Sequence, residues 1–444
     1  MKKITIALIL GAIFYALSSM VLTPMQASFV GVLAFTIALW TNGGLPMGVV
    51  SLLPIVLFSA FGFMEVKAVT ANYAKPIIFL FLGGFMLAIA VEKTNLHKYL
   101  ALKLLSFFPS TTVGLTYAVA ITSALLSAVL SNTTITLMLM PIALLLAKDP
   151  KVKVRLLLAT AYGASMGGIL TPVGTPPNLI LLQKMEEWGT AAPSFVVWMV
   201  MMIPVVAFML ATIPYIIAWP VRKVIIEKGQ HKPMLMDKEQ KKLSYILIFL
   251  FLLLIANAKI EPYYMGLGLN EKLLLLTFGL TMFLPGINFL DWQDTKKIPF
   301  EILFLFGAGF SIAAAVIKLD LAQIIIAQFT GIEYWPILLI LFATAALVSF
   351  TTEVTSNTAF VSLALPIFFE LSNAYGLDQR LLIIVTVAAS YAFMLPIATP
   401  PNAIIMSSGL VEMKTMAKTG FIVNWIGVII LSLVATYFWP FIIG

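Results

Sequence analysis

The chain of 444 residues is 61% hydrophobic and 10% charged, with a formal net charge of +8. A soluble domain carries about 25% charged residues, and one water-soluble core of this length cannot hide so many apolar side chains. The composition predicts an all-α polytopic membrane protein and excludes a soluble enzyme, a nucleic-acid-binding protein and a disordered chain. Cysteine is absent and histidine occurs twice, so no disulfide or thiolate metal site is expected.

Thirteen apolar runs follow one another along the chain, and a helix that crosses a bilayer needs about 20 such residues. The first run has no convincing cleavage site and is predicted to be a retained helix. The runs lie at 4–22, 27–40, 45–63, 76–92, 112–147, 154–182, 194–221, 243–258, 271–290, 299–317, 335–370, 380–408 and 420–443.

The positive charges predict how these runs are oriented. Twenty of the 27 Lys and Arg residues fall into one set of connections, and the other seven flank the rest. The two sets lie on opposite sides only if the runs 112–147 and 335–370 each enter and leave on the same side. Eleven runs then cross, and the positive-inside bias places the N-terminus in the cytoplasm and the C-terminus outside.

The two halves of the chain repeat each other at a constant offset. Residues 131–133 and 356–358 share the sequence Ser-Asn-Thr, separated by 225, and residues 175–178 and 399–402 share Thr-Pro-Pro-Asn, separated by 224. The two hairpins open from opposite sides, so the halves are predicted to be inverted repeats. The predicted units are an N-terminal transmembrane helix (1–22), repeat 1 (23–221, with a re-entrant hairpin at 110–147 and a broken helix at 154–188), a cytoplasmic linker (222–242) and repeat 2 (243–444, with a hairpin at 335–371 and a broken helix at 379–408).

The Ser-Asn-Thr tips and Thr-Pro-Pro-Asn breaks interrupt helices at membrane depth. Two successive prolines remove two backbone donors, and unwound backbone occurs in a bilayer only where protein or water satisfies it. Exposed carbonyls coordinate Na⁺, while the N-terminus of the next half-helix attracts an anion. The simpler interpretation is a set of proline kinks and small-residue packing motifs. The two tips and the two breaks occur at matching positions in the two halves, and this correspondence favours a transport site.

Paired tips and paired breaks of these sequences resemble the divalent anion/sodium symporter family, the INDY-type carriers of di- and tricarboxylates, over nearly the whole chain. The resemblance implies eleven transmembrane helices plus two re-entrant hairpins. It also implies a scaffold domain that forms a homodimer and a transport domain that moves as an elevator. The implied activity is Na⁺-coupled uptake of a dicarboxylate such as succinate, malate or fumarate across a bacterial inner membrane.

The resemblance also implies which residues bind the ligands. The substrate contacts would be Ser131, Asn132, Thr133, Ser356, Asn357, Thr358, Thr399 and Pro400. One Na⁺ site would use Ser127, Ser131, Asn132 and Gly174, and a second would use Thr352, Thr355, Asn357 and Ala398, partly through carbonyls. The repeat supports these sites, since Ser127 and Thr352 are hydroxyl residues at the same offset.

Neither tip and neither break contains Lys, Arg or His, so bound Na⁺ is the available countercharge for a carboxylate dianion. A Na⁺-independent carboxylate exchanger and a sodium/sulfate-type symporter remain as alternatives, and half-helices also occur in channels. A membrane enzyme is not favoured, because HExxH, Walker A and intramembrane Asp-pair motifs are absent. Glu353, inside the second hairpin, either tunes a cation site, takes a proton or serves as a structural acceptor.

Overall fold

The computed structural model describes residues 2–224, 235–257, 265–321, 324 and 331–443. The centre of the predicted linker, 225–234, lies outside the described residues. The helices of the described part are α1 (Lys2–Ser18), α2 (Pro24–Asn42), α3 (Met47–Ala60), α4 (Val66–Ala71), α5 (Pro76–Lys93), α6 (Leu96–Leu105), α7 (Thr112–Ser127), α8 (Asn132–Leu145), α9 (Pro150–Gly168), α10 (Pro176–Glu187), α11 (Phe195–Ala218), α12 (Lys238–Asn257), α13 (Glu271–Thr281), α14 (Phe300–Lys318), α15 (Ile337–Thr352), α16 (Asn357–Tyr375), α17 (Arg380–Ala388), α18 (Pro400–Ser407), α19 (Met413–Tyr437) and α20 (Pro440–Ile443).

The predicted all-helical fold class is confirmed for the described residues. Among the residues that the structure describes, five helical stretches are long and apolar enough to cross a membrane, judged by length and composition: Val66–Lys93, Phe195–Val221, Phe300–Lys318, Asn357–Tyr375 and Met413–Ile443. Helices α2, α3, α7, α8 and α15 are apolar but shorter. The number of crossing helices and the re-entrant character of the two hairpins stay predictions.

Helices α7 and α9 form one of the most extensive helix pairs of the fold because glycines let their backbones approach. A Cβ atom on Gly163 would lie 2.5 Å from the carbonyl oxygen of Ala120, and one on Gly167 would overlap the carbonyl oxygen of Ala124. Small residues at such contacts are how helices associate in a bilayer, where hydrophobic driving force between helices is absent. This packing fixes the first hairpin against the first broken helix.

The short helices that follow the two breaks exchange partners between the halves. Helix α10 packs against α16 and α17 of the second half, while α18 packs against α8 and α9 of the first. Trp188, at the end of α10, stacks on Phe369 of α16 with ring centres 4.0 Å apart. The exchange draws both hairpins and both breaks into one region.

A second group of helices, α1 to α5 with α13 and α14, packs largely within itself. Polar contacts join it to the ends of α10 and α11. Lys75 lies 2.5 Å from Glu187, Lys272 pairs with Glu186, and the carboxylate of Glu271 accepts a hydrogen bond from the backbone N–H at position 195, 3.0 Å away. Apolar packing crosses the same boundary, because α14 packs against α16 and one buried apolar cluster includes side chains of both groups.

Candidate functional site

Each hairpin tip is closed by the serine of its Ser-Asn-Thr motif. Ser131 and Ser356 are in extended conformations and precede the first residues of α8 and α16. The Ser131 hydroxyl accepts a hydrogen bond from the N–H of Thr134 at 3.1 Å, and the Ser356 hydroxyl accepts one from Ala359 at 3.4 Å. These are N-caps, which leave other N–H groups of the first helical turn directed toward the tip.

The asparagine of each Thr-Pro-Pro-Asn motif holds the unwound segment before it. Asn178 Nδ2 donates to the carbonyls of Gly168 (3.2 Å) and Thr171 (2.9 Å). Asn402 Nδ2 donates to the carbonyls at 392 and 395, both at 3.0 Å. The acceptors lie ten and seven residues before the asparagine in both halves, so the sequence repeat extends to individual hydrogen bonds.

The tip and the break are also joined in each half, by different chemistry. In the first half the hydroxyl of Thr171 donates to the carbonyl of Ala128. In the second half, Glu353 stands at the position equivalent to Ala128 and accepts from the N–H groups of Met394 (2.9 Å) and Leu395 (3.0 Å).

Glu353 has a further donor in Asn424 of α19, whose Nδ2 lies 2.7 Å from the carboxylate. Asn424 also accepts, through Oδ1, from the N–H of Phe393. Glu353 is 3% exposed, and its oxygens are engaged by these neighbours. Of the interpretations that the sequence left open, the structural acceptor is the one that these contacts support.

Three of the four residues of the first predicted Na⁺ site are connected in space, either directly or through Gly168. The Ser127 hydroxyl donates to Asn132 Oδ1 at 2.5 Å. A Cβ atom on Gly168 would come within 2.9 Å of the same oxygen, and one on Gly174 would come within 2.5 Å of the Gly168 carbonyl. Ser131, the fourth predicted ligand, is exposed at the tip.

The residues of the second predicted site share a hairpin tip but are less closely joined. Thr352 is buried and donates to the carbonyls of its own helix, and Thr355 donates to the carbonyl of Thr351 at 3.1 Å. The N–H of Ala398 donates to the carbonyl of Leu395 at 3.2 Å. Within the described residues, no hydrogen bond joins Thr352, Thr355, Asn357 and Ala398 to one another.

In the described part of the chain, several buried oxygens near the breaks and the second tip have no hydrogen-bond partner, and a serine pair and an asparagine pair among them recur in both halves. They are Asn178 Oδ1, Asn402 Oδ1, Asn357 Oδ1, Ser165 Oγ and Ser390 Oγ. Ser165 and Ser390 are separated by 225, as the tips are. An unpaired buried acceptor costs about 1–3 kcal/mol, and a bound cation would remove that cost. Neutral amide and hydroxyl oxygens are ligands of the type that suits a monovalent hard cation.

The predicted substrate residues border the same region. Thr133 and Thr358 are half-buried in the first turns of α8 and α16, and the Thr358 carbonyl accepts from Ser362 at 2.9 Å. Thr399 is buried and its hydroxyl caps α18 by accepting from the N–H of Asn402 at 3.5 Å, while Pro400 is exposed. Within the described part of the chain, no hydrogen bond joins one tip to the other.

The charge of the region is low. Glu353 is the one ionisable residue in the segments 127–133, 171–178, 352–358 and 396–402. Lys184 is buried on α10, nine residues beyond Thr175, but its ammonium lies 2.9 Å from Glu187 and is compensated there. In the described part of the chain, no group of three or more acidic or histidine side chains could hold a metal ion.

Each half contains one discontinuous helix, and the half-helix after each break packs beside the hairpin of the other half. This arrangement is typical of a secondary transporter. A sequence model of the citrate transporter family matches residues 32–379. The chain belongs to the citrate transporter family. The prediction of a divalent anion/sodium symporter type, made from the tips and breaks, is confirmed, and the protein is a transporter.

A curated relative agrees with this assignment, and two solved structures share the fold. The sodium-dependent dicarboxylate transporter SdcS of Staphylococcus aureus (strain MRSA252) is 32% identical over 483 residues, covering 99% of this chain and 92% of SdcS. The fold resembles the Alcanivorax borkumensis YdaH transporter (TM-score 0.61, 14% identity, 84% and 87% of the chains). It also resembles MtrF of Neisseria gonorrhoeae (TM-score 0.60, 12% identity, 91% and 97%), described as illuminating a class of antimetabolite efflux pumps.

Proposed function

We propose that this protein is a Na⁺-coupled symporter that imports dicarboxylates of the succinate, malate and fumarate type across a bacterial plasma membrane. The observation that carries the proposal is the set of unpaired oxygens at two clamped, matching breaks without a nearby uncompensated cation. The name of the S. aureus relatives, sodium-dependent dicarboxylate transporter, supports both the ion and the substrate class.

Electrostatics favours coupling to a cation. Moving one negative charge inward against an inside-negative potential costs about 2.3 kcal/mol per 100 mV. Two Na⁺ ions neutralise a dianion, and a third makes uptake electrically favourable. A dianion held by neutral hydroxyls and amides also lacks compensation in a low dielectric, which bound Na⁺ supplies.

The two ion sites and the substrate site are proposed on the residues predicted from sequence. Ser127 bonds to Asn132, and Asn132 and Gly174 both lie close to Gly168, which supports the first Na⁺ site. The unpaired Oδ1 of Asn357 supports the second. The substrate would lie between the tips, where N–H groups of the first turns of α8 and α16 attract its carboxylates.

The proposed architecture has eleven crossing helices, two re-entrant hairpins and inverted repeats, with the N-terminus in the cytoplasm and the C-terminus outside. Helices α7–α11 and α15–α19 would form the transport domain of an elevator, and α1–α5 with α12–α14 the scaffold of a homodimer. The exchange of partners by α10 and α18 supports a single moving unit. The boundary would run through the charged contacts of Lys75 and Lys272 and through the packing of α14 on α16.

Uptake of labelled succinate into proteoliposomes tests the function. An inward Na⁺ gradient is expected to drive accumulation, and replacing Na⁺ with choline is expected to abolish it. Uptake that proceeds unchanged in choline would overturn the symport and favour the exchanger. Suppression of uptake by sulfate, with no effect of malate or citrate, would assign the site to inorganic anions instead.

Substitution of the tip asparagines tests the site. Asn132→Ala and Asn357→Ala are each expected to abolish transport while the protein still elutes as a folded, monodisperse species. Thr70→Ala removes an exposed hydroxyl that bonds only its own helix and serves as the control, with transport unchanged. Full activity in both asparagine variants would remove the site assignment.

A further inference from the structure

A cavity of about 360 Å³ lies where the N-terminal parts of α9 and α19 meet the C-terminal end of α11 and the residues just after it. Two cations, Arg155 and Lys418, line it together with the aromatic rings of Tyr215 and Trp219. Ile216, Pro220 and Ile422 supply an apolar wall. The cavity lies away from both tips and both breaks in sequence and has no part in the proposed transport site.

The guanidinium of Arg155 lacks an anionic partner within the described residues. Its hydrogen bond runs from Nη1 to the hydroxyl of Thr419, 3.3 Å away. In the described part of the chain, neither Arg155 nor Lys418 has a carboxylate within 4.0 Å. Arg155 is half-buried, and a half-buried charge without compensation is unfavourable.

The second half of the chain provides an internal comparison. Arg380 occupies the position equivalent to Arg155, separated by 225. Its Nη2 pairs with Asp378 at 2.6 Å, and its Nη1 donates to the carbonyl of Ala435 at 2.8 Å. Burial acts to raise the pKa of Asp378, but hydrogen bonds from Arg380 bring it below its usual range. The residue equivalent to Asp378 is Lys153, so the first half has a cation where the second has the counter-ion.

The surroundings of the cavity are typical of a membrane–water boundary. Trp219 and Tyr215 are 49% and 43% exposed, and aromatic rings concentrate at this level of a bilayer. The guanidinium of Arg222 lies 3.5 Å from the ring centre of Trp219. Helices α9 and α19 both begin on the side of the fold where the cavity lies, and helix N-termini carry partial positive charge.

We propose that this cavity binds the headgroup of an anionic phospholipid from the cytoplasmic leaflet. Arg155 and Lys418 would contact the phosphate, and Ile216 and Ile422 would contact the acyl chains. The leaflet follows from the orientation proposed above, while the binding chemistry does not depend on transport. Basic pockets between helices on the cytoplasmic side bind such headgroups, and here the lipid supplies the charge that Asp378 supplies in the second half.

Lipid titration of the purified, delipidated protein tests the proposal. Dioleoylphosphatidylglycerol is expected to raise the thermal unfolding temperature, whereas dioleoylphosphatidylcholine and inorganic phosphate are not. Arg155→Gln and Lys418→Gln are each expected to weaken the apparent affinity for phosphatidylglycerol about fivefold, measured by native mass spectrometry. Lys414→Gln, on the same helix and exposed but outside the cavity, is the matched control and should bind normally.

The outcomes separate the sources of the anion. Equal stabilisation by phosphatidylcholine and phosphatidylglycerol would overturn the proposal, as would stabilisation by inorganic phosphate alone. Because Lys418 is exposed, its variant is expected to fold even where Arg155→Gln does not. Unchanged lipid affinity in Lys418→Gln would therefore also refute it. Loss of Na⁺-driven transport with lipid binding intact would count against the function alone.

Discussion

The contacts of Glu353 allow its role to be tested quantitatively. Replacing it with alanine leaves three donors without an acceptor: the part-buried N–H groups of Met394 and Leu395 and the buried side-chain amide of Asn424. Each unpaired donor costs about 1–3 kcal/mol, or about 3–9 kcal/mol in sum. Burying the carboxylate is itself unfavourable and offsets part of this, so we expect Glu353→Ala to lower the free energy of unfolding by about 3–5 kcal/mol.

Denaturant unfolding in detergent micelles, followed by tryptophan fluorescence, measures this change. Glu353→Gln keeps one acceptor oxygen and is expected to lose about half as much. Glu370→Gln, a half-buried carboxyl on α16, is the control and should change the free energy by less than about 0.5 kcal/mol. An alanine variant of unchanged stability whose transport has an altered pH profile would refute the acceptor role and restore the proton-binding interpretation.

Further predictions address the packing, the clamps and the ion site. Gly167→Ala should lower the free energy of unfolding by about 1–3 kcal/mol through overlap with α7, whereas Gly84→Ala, which meets no atom within 4 Å, should be nearly neutral in the same assay. Asn178→Ala and Asn402→Ala should each lower the free energy of unfolding by about 1–3 kcal/mol for each carbonyl that loses its hydrogen bond. Strongly unequal losses of stability in thermal unfolding would contradict the equivalence of the halves. Ser127→Ala should raise the Na⁺ concentration for half-maximal succinate uptake about tenfold, and an unchanged Na⁺ dependence would argue against the first site.

The sequence predicts the breaks because each proline lacks a backbone N–H and therefore interrupts the helix at its own position. Both half-helices begin at the first proline of their motifs, Pro176 and Pro400, as the missing donors require. The lengths of the unwound segments, 169–175 and 389–399, were not predictable. The second is longer because Ser349 binds the carbonyl of Tyr391 at 2.6 Å and Glu353 binds the next N–H groups, and such contacts are long-range.

The sequence predicts the motifs of the site, but it predicts few of the hydrogen-bond and ion-pair partners of the residues in them. The tips and breaks were found by their repetition, whereas the direction of each asparagine amide was not. Asn424 was missed, although a polar residue within the long apolar helix α19 is a signal by itself. The pairing of Lys184 with Glu187 is local, because the two residues lie three apart on α10. Lys75 contacts the same carboxylate from the start of α5, and no local pattern encodes that second contact.

The clamps formed by Asn178 and Asn402 determine what an arriving ion has to reorganise. Each unwound segment is held by two hydrogen bonds from its own asparagine, so the spacing of its oxygens is fixed by the protein itself. Little conformational entropy is then lost when an ion enters, which favours affinity through preorganisation. Oxygens held at a fixed spacing discriminate cations by ionic radius, so in the proposed transporter the preference among Li⁺, Na⁺ and K⁺ would depend on two side-chain amides that need not touch the ion.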